Sequence, residues 1–162
     1  SPTVTAGNAP PISAGSSALL FMTRKRADEK GLKHLATIVT VISSATVPRA
    51  IAVIPAHTIE KALDRAGLTL EQMDLIEINE AFAAMPLVST KLLAKGDEKK
   101  WKALLDRTNV NGGAIAIGHP VGASAARLTM TMAYELQRRG GGYGVASICG
   151  GLAQGEAVGL KV

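Results

Sequence analysis

Runs of β-branched apolar residues alternate along this chain with stretches whose apolar residues recur at helical spacing, and this alternation constrains the fold most strongly. The run at 37–42 is typical of a buried strand, whereas apolar residues recur on one helical face over 55–66 until Gly67. We predict strands over 34–45, 75–79, 143–149 and 157–162, and helices over 17–30, 55–66, 81–93, 101–107 and 123–139. Strands that alternate with helices and end in a glycine-linked hairpin predict an α/β domain, in which a mixed sheet is layered with helices.

The length and composition of the chain predict one compact domain. The 162 residues are 47% hydrophobic and have a mean hydropathy of +0.20, which is enough apolar surface for a core. Residues 1–17 include Pro10-Pro11 and are predicted to form an extended entry segment. Thr69 and Gln72 have the spacing of a capping box. We therefore assign residues 1–162 to a single domain.

Composition also restricts the partners and the compartment. Aromatic residues are only 3% of the chain, too few for the stacking that single-stranded nucleic acid needs, and no apolar run approaches the ~20 residues of a membrane span. A single cysteine fits a reducing compartment. We expect a cytoplasmic protein that binds neither nucleic acid nor membranes. The start at Ser1-Pro2 suggests a processed product or part of a longer protein.

Three polar or reactive residues lie in turns. His119 lies between glycines in a turn that leads into a helix, Cys149 precedes two glycines, and Asn79 ends a predicted strand. Glycines let a ligand approach closely, so an imidazole and a thiol in such turns are candidates for acid–base chemistry. The alternatives are a structural histidine, an inert buried cysteine and an ordinary turn asparagine. No paired spacing of Asp and Glu residues suggests metal or glycosidase chemistry, and no Walker or dinucleotide-binding fingerprint is present.

The motifs that carry these residues occur together in the order and spacing of one known family. They are Asn79-Glu80-Ala81-Phe82-Ala83, Gly118-His119-Pro120 with Gly122-Ala123-Ser124, Cys149-Gly150-Gly151 and, before them, Thr3-Val4-Thr5-Ala6-Gly7-Asn8. The chain resembles the C-terminal half of a thiolase over essentially its whole length. The resemblance implies the fold of that half and the condensation of two acetyl-CoA to acetoacetyl-CoA, or the reverse thiolysis. It implies acetyl-CoA or acyl-CoA as substrate, with no cofactor and no metal.

The resemblance also implies roles for individual residues. His119 matches the histidine that activates the nucleophile and hydrogen-bonds the thioester oxygen, and Cys149 matches the cysteine that moves a proton on the α-carbon. Asn79 matches the asparagine that holds an oxyanion-site water, and Gly151 matches a glycine whose N–H helps to form a second oxyanion site. We expect amides of the glycine turn and a nearby cation to lower the pKa of Cys149. The positions that match contacts with the pantetheine arm of coenzyme A are Ala9, Ala81 and Phe82.

Some features depart from a complete thiolase. Pro10 replaces a serine that helps to hold the pantetheine amide in relatives, so that hydrogen bond is lost, and Phe82 fits a core position equally well. The resemblance places the nucleophilic cysteine in an N-terminal half that is absent here. It therefore implies a chain that is inactive alone, acts with that half in the same or another chain, and forms dimers or tetramers. The alternatives are a coenzyme A-binding or assembly module, part of a longer-chain 3-ketoacyl-CoA thiolase, and a Cys149–His119 dyad that transfers acyl groups by itself.

Overall fold

The computed structural model describes residues 3–162, which form six α-helices, four strands and three 3₁₀ turns. The helices are α1 (Arg24–Glu29), α2 (Ile54–Ala66), α3 (Ala84–Leu93), α4 (Glu98–Leu105), α5 (Ala114–Ile117) and α6 (Ser124–Arg138). The strands are β1 (Thr37–Ala45), β2 (Leu75–Ile78), β3 (Tyr143–Gly150) and β4 (Gln154–Lys161), and 3₁₀ turns cover Pro48–Val53, Leu70–Gln72 and Gly151–Ala153. The predicted α/β class is confirmed. No helix within residues 3–162 is long and apolar enough to cross a bilayer.

One mixed sheet contains the strands in the order β1-β4-β3-β2. β4 runs antiparallel to both β1 and β3, and β2 runs parallel to β3 with Ile78 opposite Ser147. The Gly151–Ala153 turn joins β3 to β4, which confirms the predicted hairpin. Because β2 and β3 are parallel, their carboxyl ends lie at the same edge of the sheet. That edge carries Asn79 after β2 and Cys149 near the end of β3.

Helices cover both faces of the sheet. On one face, a cluster from α2, α3 and α4 packs against Ile76 and Ile78 of β2, and we call it the α2–α3–α4 cluster. On the other face, α6 packs against Leu75. Side chains alternate along a strand, so Glu77 projects toward α6 together with Leu75. In this layering, β2 and α6 meet at the carboxyl edge of the sheet.

Local signals in the sequence account for most helix boundaries. α2 ends where Gly67 adopts a left-handed conformation with φ of 64°, and the Thr69 N–H donates to Gln72 Oε1 at 2.8 Å, which confirms the capping box. α4 begins earlier than predicted because the Asp97 side chain accepts a backbone N–H of its first turn. α3 begins later than predicted, which leaves Pro86 within its first turn, where the missing N–H costs no hydrogen bond.

Two predictions near the start of the chain are wrong. The helix predicted over 17–30 shrinks to α1, because the Thr23 side chain caps it by accepting the Arg26 N–H. The preceding apolar residues lie in neither a helix nor a strand, since an unbroken apolar run has no helical period. β1 begins at Thr37 and buries only Thr40, because it is an edge strand that pairs with β4 alone. Residues 3–17 contain turns without a helix or strand, and residues 1 and 2 lie outside the described part.

Candidate active site

Asn79 is fixed in place at the end of β2. Its N–H donates to the Ser147 carbonyl at 3.0 Å, which continues the pairing with β3 beyond the strand. The Asn109 side chain holds the preceding residue, because it accepts the Ile78 N–H and donates to the Ile78 carbonyl, both at 2.8 Å. Asn79 itself is 0% exposed. It is therefore a buried polar residue aimed at a partner rather than a surface turn residue.

The His119 ring is held from two sides. Its Nδ1 lies 2.6 Å from Ser124 Oγ in the first turn of α6, and its Nε2 lies 3.2 Å from Asn79 Nδ2. Ser124 Oγ donates its hydrogen to the Pro120 carbonyl at 3.1 Å, so its oxygen accepts the hydrogen on Nδ1. This network assigns the ring proton to Nδ1 and the lone pair to Nε2.

The surroundings of His119 favour its neutral form. Burial lowers the pKa of His119 from the ordinary value of 6.5, and the positive charge of Arg127 on α6 lowers it further. A neutral ring with its lone pair on Nε2 is a proton acceptor at pH 7. The long contact between Nε2 and Asn79 leaves that lone pair available to a more acidic donor.

The turn before the histidine has its own supports. Glu80 Oε2 accepts the Ile115 N–H at 2.9 Å at the start of α5, and Gly113 lies so close that a Cβ there would come within 2.5 Å of this oxygen. Gly118 ends α5 with φ of 96°, which favours glycine. The histidine N–H then donates to Ser13 Oγ at 3.2 Å. Glu80 of one motif thus anchors the loop that carries the histidine of another.

Cys149 lies at the same edge of the sheet but makes different contacts. It follows Ser147 by two residues on β3, is half-buried, and packs against the α2–α3–α4 cluster. Within the described residues, no hydrogen bond joins it to His119 or Asn79. Burial raises the pKa of the Cys149 thiol above its ordinary value of 9.0, and a hydrogen bond with its own backbone offsets only part of this effect. The expectation that the glycine turn lowers this pKa is therefore wrong, because desolvation dominates.

Gly151 opens the turn after β3 and is exposed. The next two residues, Leu152 and Ala153, have φ of 59° and 58°, a left-handed conformation that side chains disfavour. Leu152 is also 75% exposed, so its own packing does not explain why this geometry is kept. The strained residues Leu152 and Ala153 thus directly follow Gly151, the glycine predicted to act in the site.

The three positions predicted to contact the pantetheine arm lie near one another. The Ala83 N–H donates to the Asn8 carbonyl at 2.9 Å, which joins the segment carrying Ala9 to the turn carrying Ala81 and Phe82. All three are half-buried. Ala81 and Phe82 also pack against the α2–α3–α4 cluster, so Phe82 does contribute to the core.

Sequence reasoning named the reactive residues but missed those that hold them. Glu80 and Ser124 lie inside the recognised motifs, and a serine at the start of the helix after the histidine was the available signal. Asn109 and Ser13 gave no signal, because their partners are distant in sequence. His34 and His57, which match no catalytic position, are both exposed. Over residues 3–162, no three His, Cys, Asp or Glu side chains gather as metal ligands.

Comparison with known proteins identifies this arrangement. The family described as "Thiolase, C-terminal domain" matches residues 32–162. A "Probable acetyl-CoA acetyltransferase" from Mycolicibacterium smegmatis is 47% identical over 98% of this chain and 39% of its own length. The crystal structure of the Bacillus anthracis acetyl-CoA acetyltransferase superposes with a TM-score of 0.85 at 39% identity, and that of human mitochondrial 3-ketoacyl-CoA thiolase in complex with CoA with 0.79 at 38% identity. Each superposition includes 98% of this chain and 38% of the solved chain.

The solved structures define the fold as that of the thiolases, in agreement with the mixed sheet and its covering helices. The chain belongs to the thiolase family and corresponds to its C-terminal domain. It spans less than two fifths of the length of the relatives reported above.

Proposed function

We propose that this chain supplies the histidine and the acid/base cysteine of an acyl-CoA thiolase, with acetyl-CoA or a related acyl-CoA as substrate. The observation that carries the proposal is the His119 ring, which is bound by Ser124 at Nδ1 and faces Asn79 at Nε2. A ring held in one tautomer, with a pKa below its usual value, suits a general base at neutral pH. The names of the relatives agree with this class of reaction.

In the proposed reaction, His119 Nε2 accepts the thiol proton of a nucleophilic cysteine, whose sulfur attacks the thioester carbonyl. The imidazolium then gives this proton to the departing coenzyme A sulfur. During condensation, the Cys149 thiolate takes a proton from the α-carbon of a second acetyl-CoA, and the resulting carbanion attacks the acyl group and releases the nucleophilic sulfur. We assign stabilisation of the developing oxyanions to Asn79 and to the Gly151 N–H.

The raised pKa of Cys149 bears on the direction of the reaction. A protonated thiol can give its proton at once to the α-carbon of the enolate that leaves during thiolysis. Condensation requires the same thiol to lose its proton first. The raised pKa thus means that thiolysis begins with the thiol in the required form, whereas condensation begins with its deprotonation.

The nucleophile has to come from elsewhere, because Cys149 is the only cysteine of this chain. Apolar side chains on the segment before α1 and on β1 are open to solvent: Leu20 is 83%, Phe21 63% and Val41 54% exposed. Exposed apolar surface of this kind supports packing against an N-terminal thiolase half. We propose that the chain is inactive alone and acts with that half, in dimers or tetramers.

Reconstitution tests this proposal. The chain is assayed for acetoacetyl-CoA cleavage alone and together with the N-terminal half of a matched relative. We expect no turnover alone and turnover with both, abolished by His119→Ala and kept by His57→Ala, a control on the exposed face of α2. Intact-mass measurement after exposure of the chain to acetyl-CoA should show no acetyl group. Turnover by the chain alone, with Cys149 acetylated, would contradict the proposal and support the Cys149–His119 dyad.

A coenzyme A-binding module without catalysis is a second candidate, favoured by Pro10. Proline has no N–H and no hydroxyl for the pantetheine amide, so part of the substrate contact is missing. In this case calorimetric titration detects coenzyme A binding, whereas the reconstituted protein shows no turnover.

A further inference from the structure

Glu77 is a carboxylate in a position where a central strand residue is usually apolar. Every residue of β2 is buried, and Glu77 is 3% exposed between Ile76 and Ile78. Its Oε2 lies 3.8 Å from Nη1 of Arg127 on α6, whose side chain is 20% exposed. A buried ion pair is often no more stabilising than apolar side chains of the same size. Fold stability alone therefore does not account for this pair.

The pair connects the same two elements that hold the histidine ring. Asn79 directly follows β2 and continues its pairing with β3, so its side chain shares a face with that of Glu77, two residues earlier. Ser124 and Arg127 are three residues apart along α6, so they also share a face. Since Asn79 and Ser124 contact opposite nitrogens of His119, β2 and α6 are joined twice. One connection passes through the ring and the other through the ion pair.

We propose that Glu77 and Arg127 are positioning residues that hold β2 and α6 at the separation in which Asn79 and Ser124 bind opposite nitrogens of His119. This inference rests on the proposed function of His119 as a base. A small change in that separation leaves one ring nitrogen without its partner, and the ring then exchanges between tautomers. Only the form with the lone pair on Nε2 serves as the base in this site.

The ionisation of the Glu77 carboxyl group determines the pH at which the ion pair is tested. Burial raises the pKa of Glu77 to about 7, with the Arg127 charge opposing this effect and the charges of Glu80 and Glu135 adding to it. The Glu77 carboxyl group is therefore mostly ionised at pH 8, where the measurements are made.

Nitrogen-15 NMR of the histidine rings in the 162-residue chain reads the proposed role directly. We expect the Nδ1–H tautomer to dominate for His119, and Glu77→Gln or Arg127→Gln to move it toward an even mixture. Glu135→Gln is the matched control, because Glu135 is also a buried carboxylate on α6, but its partners are Arg138, Arg139 and Asn111, none of which belongs to β2. This control should leave the His119 tautomer unchanged.

Kinetics of the reconstituted protein at pH 8 give the second readout. We expect either single variant to lower kcat about 10-fold with KM for acetoacetyl-CoA within about twofold, as for other residues that orient a catalytic group. The double variant should be no worse than the poorer single variant, because the two residues act through each other. Unchanged tautomer and unchanged kcat in both single variants overturn the proposal.

Two provisions keep this test decisive. If a single variant does not fold, Glu77→Met combined with Arg127→Met leaves no unpaired buried charge and has the same expected readouts. If the reconstituted wild-type protein shows no turnover, the proposed function fails, but the tautomer of His119 still decides the positioning role.

Discussion

The carboxyl group of Glu77 should make this chain less stable as the pH rises toward neutrality. Burial raises its pKa from 4.5 to about 7, and the charge of Arg127 offsets only part of the change. An acid with a higher pKa in the folded state binds its proton more tightly there. Its contribution to stability is therefore fully present below pH 4.5 and is lost as the pH rises to about 7. The difference between the two pKa values corresponds to a loss of about 3 kcal/mol.

Glu77→Gln introduces a neutral side chain of the same shape and should remove this loss. The assay is urea unfolding between pH 4.5 and 8, followed by the fluorescence of Trp101, the single tryptophan, which is half-buried on α4. Wild type and variant should have similar free energies of unfolding at pH 4.5, and the variant should be more stable at pH 8 by up to about 3 kcal/mol. The gain is smaller if Arg127 is destabilised by the loss of its partner.

Glu135→Gln should show the opposite sign and is the control. Hydrogen bonds from Arg138 and then Arg139 lower the pKa of Glu135 to about 2. Its contribution to stability is present above the ordinary pKa of 4.5 and is lost as the pH falls toward 2. This variant should therefore be less stable than the wild type at pH 8.

A stability difference between Glu77→Gln and wild type that stays constant from pH 4.5 to 8 would refute the reasoning.

Three further substitutions test the geometry of the site. Ser124→Ala removes the acceptor 2.6 Å from the ring Nδ1, so kcat of the reconstituted protein should fall about 10- to 100-fold, with thermal denaturation as the check that the fold survives. Gly118→Ala puts a Cβ against the Ser13 side chain at φ of 96° and should lower the free energy of unfolding by about 2 kcal/mol in urea titration, whereas Gly122→Ala, with open space around it, should change little. Leu152→Gly relieves a residue at φ of 59° and should raise the melting temperature by about 2–4 °C, while Leu152→Ala keeps the strain and should not. Equal melting temperatures for these last two variants would exclude backbone strain as the cause.

The sequence predicted the elements whose signals are local. α2 is marked by its apolar period and by Gly67, and the hairpin of β3 and β4 by its glycines, so both were found close to their true bounds. β1 was identified as a strand but wrongly as a buried one, because its place at the edge depends on which strands pair with it. The apolar residues before Thr23 were assigned to a helix for a similar reason. An apolar run without a period does not reveal its conformation until its partners are known.

The site shows the same division between local and distant information. His119, Asn79 and Cys149 could be named from motifs, since each lies in a short pattern with a distinctive order. The hydrogen bond from Asn109 to β2 joins residues 31 positions apart, and the one from His119 to Ser13 spans 106 positions. No local pattern encodes such contacts. The predicted direction of the Cys149 pKa shift was wrong for the same reason. The burial that raises this pKa comes from packing against the α2–α3–α4 cluster.

The end of β2 supports the histidine in three separate ways. Asn79 contacts its ring, Glu80 caps the short helix that precedes it, and Glu77 ties the strand to α6, which carries Ser124. Cys149 depends on none of these contacts, because it belongs to β3 and packs on the opposite face of the sheet from α6. Changes at Glu77, Asn79 or Glu80 should therefore alter the base without altering the thiol. The two acid–base groups of the proposed reaction can be adjusted independently for this reason, although they lie at one edge of one sheet.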